Sequence, residues 1–271
     1  MFRASDRITL LNKNMIEMKT IKTITFGFVA AVAACFIGTG KAQAQEFTAQ
    51  ADLVSSYIWR GFNQGGGVHI QPTLGFSAGN FTLTAWGSTN FGGENKEIDL
   101  TAAYKFGEAG PTLSVASLWW ANEGKYFNFE SHETDHHFEA GLAYTLPCES
   151  FPLSIAWNLM FAGSDKRVNS KGEVKQNFSS YVELNYPFSV KSVDLNATVG
   201  MLPYGQGYNN NGTSVYTDSR RLNKFAVTNI ALKAIKEIRI TDKFSLPIFT
   251  QAIWNPAIED AYLVFGITLR P

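Results

Sequence analysis

The chain has 271 residues, 45% of them hydrophobic and 14% aromatic, with 23 basic side chains against 23 acidic ones. That balance argues against a nucleic-acid partner. Beyond residue 44 no segment reaches the ~18 consecutive apolar residues of a membrane helix.

The first stretch reads as an address. From Met18 it runs through Lys19 and Lys22, an apolar run Ile24 to Gly38, Lys41 and then Ala42-Gln43-Ala44. This is a basic start, a hydrophobic core and a small-x-small cleavage site, so residues 1–44 are expected to be an N-terminal extension plus secretory signal peptide. Met18 is an alternative start, and Val32-Ala33-Ala34-Cys35 is a rival, lipoprotein-type cleavage site. Removing residues 1–44 leaves 17 basic and 21 acidic residues, a formal charge of −4, and Cys148 without a disulfide partner.

From residue 45 onward the pattern has period two. Phe47, Ala49, Ala51, Leu53, Tyr57 and Trp59 share one parity, and Thr48, Gln50, Asp52, Ser56 and Arg60 the other. Strands are expected at 46–60, 68–78, 80–90, 97–106, 112–121 and 136–146, then at 152–162, 177–187, 192–202, 224–236, 243–254 and 260–270. Short connections such as Gly79-Asn80, Pro147 to Phe151 and Phe188 to Lys191 alternate with longer polar ones, Gly61 to Gly67, Asn122 to Asp135, Gly163 to Gln176 and Pro203 to Asn223. Twelve strands with that alternation predict an all-β fold, a transmembrane up-and-down antiparallel barrel over residues 45–271. Such barrels are integral to the outer membrane of Gram-negative bacteria. Val68, Ile70, Leu74 and Phe76, then Ile98, Leu100, Ala102 and Tyr104, then Ala261, Leu263, Phe265 and Leu269 are expected to meet lipid. Opposite them, Gln71, Asp99 and Thr268 are expected to face a polar lumen. Aromatic residues at segment ends, among them Tyr57, Trp59, Trp119, Trp120 and Trp254, suit membrane interfaces.

Tyr57-Ile58-Trp59-Arg60-Gly61-Phe62-Asn63-Gln64 resembles the Y-x-x-R-G-x-x-Q signature of the TorF-like porins of Gram-negative bacteria. Further matches are Gly79-Asn80-Phe81, Trp86-Gly87-Ser88-Thr89-Asn90 and the closing Asn255-Pro256 with Glu259, Tyr262 and Gly266. The resemblance implies an outer-membrane barrel of the porin type with no established substrate. The chain departs from the usual pattern at Leu269-Arg270-Pro271, where outer-membrane strands carry a terminal aromatic read by the barrel-assembly machinery.

Four groups of residues carry possible chemistry. Ser131 to His137 holds His132, His136 and His137, and metal ligation there competes with a solvated outer loop or a contact to lipopolysaccharide cations. A hydrolase of the outer membrane needs a His-Ser pair with a polar orienter; the spacing of His69 and of Ser131 provides none in sequence. Gly65-Gly66-Gly67 and Gly205-Gln206-Gly207 lack the helix and lysine of a phosphate cradle and read as turns. The basic loop residues Lys166, Arg167, Lys171 and Lys175, with Arg220, Arg221 and Lys224, suit outer-leaflet phosphates.

The inward parity carries Asp52, Asp99, Glu139, Glu183 and Asp194 against Arg60 and Lys105. This acidic excess predicts a weakly cation-preferring passage for ions or small polar solutes, with no cofactor. Arg60 is expected to tie the first strand to a neighbour through Glu97 or Asp99. The alternatives are a non-conducting barrel that binds a ligand or partner through its outer loops, which a plugged lumen would indicate, and an outer-membrane hydrolase with a polar dyad facing lipid.

Overall fold

The computed structural model describes residues 45–93, 95–120, 125–130, 133–168, 171–204, 225–242 and 244–271. The expected leader with its Cys35 and Met18 alternatives, together with His132, Gly205-Gln206-Gly207, Arg220, Arg221 and Lys224, lies outside the described residues.

Among the described residues the secondary structure is entirely β. The strands are β1 (Gln45–Val54), β2 (Ile58–Trp59), β3 (Phe62–Asn63), β4 (His69–Ala78), β5 (Phe81–Asn90), β6 (Lys96–Lys105), β7 (Thr112–Trp120) and β8 (His136–Thr145). They continue as β9 (Ser154–Gly163), β10 (Lys166–Val168), β11 (Val174–Gln176), β12 (Ser180–Val190), β13 (Val193–Leu202), β14 (Ala226–Arg239), β15 (Ser245–Asn255) and β16 (Asp260–Leu269). Twelve of these close a barrel in the order β1-β16-β15-β14-β13-β12-β9-β8-β7-β6-β5-β4. β1 completes the ring by pairing antiparallel on both sides, Ala51 opposite Leu269 and Leu53 opposite Ile70. Closure leaves no free sheet edge, the condition for placing strands in lipid, where an unpaired backbone group has no water to bond.

Sidedness follows the sequence parity. Leu74 is 62% exposed, Leu263 59% and Phe265 56%, with Leu100, Tyr104, Leu113, Trp157 and Leu232 on the same outer face. On the opposite parity of the barrel strands, Gln71, Asp99, Thr198 and Thr268 point inward. A continuous apolar outside of this extent, wrapped around polar interior positions, is what hydrocarbon selects and water penalises. An arginine in place of Leu100, midway along β6, is expected to cost about 2–4 kcal/mol in urea unfolding from lipid vesicles, and one in place of inward Thr101 much less.

Two departures from expectation matter for function. The first barrel strand stops at Val54 rather than residue 60, and the chain from Ser55 to Val68 turns into the barrel. The connection 164–179 carries its own two-stranded sheet, β10 with β11. Its fully buried Asp165 accepts hydrogen bonds from the Ser179 amide at 2.8 Å and the Ser179 hydroxyl at 2.6 Å. On the opposite, short-turn rim, Cys148 is exposed, and a hydrogen bond with Ser150 holds its thiol below the ordinary value.

Candidate functional site

The segment after β1 is a β-hairpin of two short strands, Ile58 opposite Asn63 and Trp59 opposite Phe62. Its two-residue tip, Arg60-Gly61, has φ of 53° and 87°. Both angles are positive, as a type I′ turn requires, and Gly61 meets that demand without strain. Gly61 is also forced by space. A Cβ there would lie 1.8 Å from the Thr228 carbonyl oxygen.

The hairpin crosses the lumen at the rim that carries the long connections and packs on several walls at once. Ile58 lies against Val54, Ala231, Phe249, Ile253 and Val264. Phe62 joins Tyr181, Leu202 and Ile258, while Trp59 touches that cluster and a second one of Ala116, Leu118 and Met160. Its tip is fixed by backbone acceptors. The Thr228 hydroxyl donates to the Arg60 carbonyl at 3.1 Å, and the Asn255 amide donates to the Gly61 carbonyl at 3.0 Å.

Arg60 supplies the polar lock. Its Nη2 lies 2.8 Å from both carboxylate oxygens of Glu139 on β8, with the two side chains 10% and 9% exposed. The guanidinium is sandwiched between Trp59 at 4.3 Å and Tyr181 at 4.6 Å from the ring centroids. A planar, weakly hydrated cation between two aromatic faces and a carboxylate loses little on leaving water. Arg60 is therefore not on the first strand; its ion pair is with Glu139, reached because the hairpin spans the lumen, and it also lies within electrostatic reach of Glu97. Both register irregularities of the barrel fall where the tip docks. The β8/β9 pairing shifts at Phe138/Glu139, and the β13/β14 pairing shifts at Gly200/Met201, opposite Thr228. Bulges re-aim side chains, and these two deliver Glu139 and Thr228 to Arg60.

Beside the hairpin base a polar cavity of about 30 Å³ is lined by Tyr57, Gln64, His69, Ser88, Glu97 and Trp120, among others. That is room for one or two waters rather than a solute. The Glu97 carboxylate is buried there in hydrogen-bonding contact with Tyr57, Asp99 and Trp120, and the His69 Nε2 is buried beside the same cavity. The other expected lumen charges are spread along the wall. Asp52 accepts from Thr268 at 2.6 Å, and Glu183 accepts from the Tyr181 hydroxyl at 2.6 Å and from Asn185 at 2.7 Å. Asp99 stands next to Glu97 on β6, whereas Lys105 and Asp194 are exposed at the short-turn rim, where Ser189 donates to Asp194 at 2.7 Å. The structure thus gathers Arg60 and Glu139, brings Glu183 near them through Tyr181, and leaves Asp52, Lys105 and Asp194 apart. Sequence reasoning overlooked one inward cation, Lys233, whose Nζ lies 3.9 Å over the Phe249 ring. Its place between inward Ala231 and Ile235 carries the signal.

His136 and His137 are adjacent on a strand and point to opposite faces. His137 packs inward, its ring 4.7 Å from Trp120. His136 points outward, fully buried, with Nδ1 2.7 Å from the Ser117 Oγ and Nε2 2.5 Å from the Tyr126 carbonyl oxygen. The two cannot share an ion. The strand pairing instead supplies a Ser-His contact that spacing in the sequence did not reveal, because Ser117 sits on β7 and His136 on β8.

No family model matches the chain, and no curated protein matches it in sequence. Among solved structures, it is similar to the NanC porin at TM-score 0.49 and 7% identity, over 82% of this chain and 98% of that one. It is also similar to an outer-membrane channel from Pseudomonas putida F1 at TM-score 0.44 and 14% identity, over 87% and 100%. A third is the translocator domain of the autotransporter NalP from Neisseria meningitidis, at TM-score 0.37 and 11% identity, over 96% and 97%. The TorF-like likeness stays a resemblance of short motifs.

Proposed function

We propose that this protein is an outer-membrane channel for small cations and small polar solutes, narrowed at its outer end by the β2–β3 hairpin. One observation carries the reading: a closed barrel with an apolar outside and a polar, acidic interior, crossed by an inward-folded hairpin. The hairpin fills part of the lumen, and Arg60 compensates Glu139, with which it forms an ion pair. Glu183 and Asp52 remain to set a negative potential in a narrow wet passage, which favours cations. Lys233 opposes them locally and keeps the preference weak.

The packing of Ile58, Trp59 and Phe62 against three apolar clusters favours a second reading, a barrel that the hairpin seals and whose outer loops bind a ligand or partner. Planar-bilayer recording of the refolded protein under a potassium chloride gradient separates the two. The channel reading predicts small, stable single-channel steps with a reversal potential on the cation side, and an Asp52→Asn/Glu183→Gln variant whose preference is weaker. A correctly folded barrel that stays silent selects the second reading.

A further inference from the structure

We propose that Ser117 and His136 form a hydrolytic dyad on the outer face of the wall, acting on carboxylic esters of acyl lipids. The site is separate from the lumen and stands or falls independently of the channel.

The argument begins with the proton on His136. Its Nε2 lies 2.5 Å from the Tyr126 carbonyl oxygen, which can only accept, so Nε2 carries the hydrogen. Nδ1 then bears the lone pair and accepts the Ser117 hydroxyl at 2.7 Å. A nucleophile, a base within hydrogen-bond reach and a third group orienting the base are the parts of an activated serine. The ring is held in place by stacking on Phe129 at 4.6 Å and by the edge contact to Tyr126 at 5.1 Å. Trp119, two positions beyond Ser117 on the same face of β7, is 8% exposed, and its Nε1 has no hydrogen-bond partner among the described residues. The Trp119 ring lies 6.3 Å from that of His136, and an indole N–H can only donate, so this buried, unpaired one is a donor without an acceptor. The oxyanion of an attacked ester is such an acceptor.

Placement selects the substrate class. Ser117 shares the outward parity of Leu113 and Val115, 47% and 36% exposed, and so faces acyl chains rather than water. Trp119 lies near the loop end of β7, packed against Tyr126, and Ser117 lies two residues, about 7 Å along the strand, further toward the membrane centre, just inside the interface where lipid ester groups sit. Phe127 and Phe129, 86% and 46% exposed, offer apolar surface beside the dyad.

In the reaction the Ser117 Oγ attacks the ester carbonyl carbon while its proton passes to His136 Nδ1. The acyl C–O bond breaks, and Nδ1 gives that proton to the departing alkoxide, releasing the alcohol. Interfacial water then attacks the acyl-serine and delivers a proton to Nδ1. The proton returns to Ser117 as the fatty acid leaves.

The test uses the refolded barrel in mixed micelles with dioleoyl phosphatidylethanolamine, oleate release being followed by mass spectrometry and folding by heat-modifiable gel migration. Wild type releases oleate. Ser117→Ala and His136→Gln lose on the order of a thousandfold or more of that rate, and Trp119→Phe loses on the order of a hundredfold in kcat with KM little changed. A fluorophosphonate probe adds its mass to the peptide containing Ser117 in wild type, which decides the matter even if a variant fails to fold. A folded wild type that releases no oleate and leaves Ser117 unmodified by the probe overturns the proposal.

Discussion

Replacing residues 55–68 by an Asn-Gly turn is expected to raise single-channel conductance several-fold while leaving the barrel folded. The register makes this excision feasible. Val54 is already paired with His69, so β1 and β4 need only a tight hairpin to stay joined, and Asn-Gly supplies the type I′ geometry that such a connection favours. What leaves with the segment is the obstruction: Ile58, Trp59 and Phe62, each packed against a different part of the wall. Val54, Ala231, Leu118 and Met160 then line an open vestibule, and conductance rises with the section of the passage. Glu139 loses Arg60 at the same time, so cation preference rises together with conductance. An excised, folded barrel that conducts no better than wild type would show that the constriction lies elsewhere.

Arg60→Met is expected to loosen the hairpin by about 3–5 kcal/mol, because a carboxylate that is nearly buried is left without its counter-ion. On single channels this appears as a more than about hundredfold gain in the ratio of open to closed occupancy, each 1.4 kcal/mol being tenfold. The double variant Arg60→Met/Glu139→Leu is expected to recover most of the loss, since apolar groups of matching size cost far less in that position than one stranded charge. The pair must be read as a cycle, because the guanidinium also packs on Trp59 and Tyr181 and its removal subtracts those contacts too. Equal effects of the single and double variants would mean that the aromatic sandwich, not the ion pair, holds the tip.

The barrel was legible because its signal is repeated. Leu100, Tyr104, Leu263 and Phe265 lie outside and Asp99 and Thr268 inside, as the period-two pattern requires, and the alternation of short and long connections fixes which rim each turn occupies. The hairpin was hidden because β2 and β3 are each two residues long, too short to show a period of their own, and they follow β1 closely enough to look like its continuation. One clue was present. Val54, Ile58 and Trp59 put apolar side chains on both parities, which a strand with one wet face does not carry. The partner of Arg60 was not legible, since Glu139 is 79 residues away and reaches it through a bulge. Long-range pairings of this kind are set by closure of the ring. The same holds for Ser117 and His136, which meet only because β7 and β8 are neighbours in the wall.

The inward position of the hairpin is tested most directly by thiol accessibility in a Cys148→Ser background. A cysteine in place of Phe62, which is 8% exposed in the packed lumen, is expected to resist a membrane-impermeant maleimide for hours, while one in place of Phe91, 76% exposed beyond β5, reacts within minutes. Equal labelling of both positions in folded protein would place residues 55–68 outside the barrel and contradict the account.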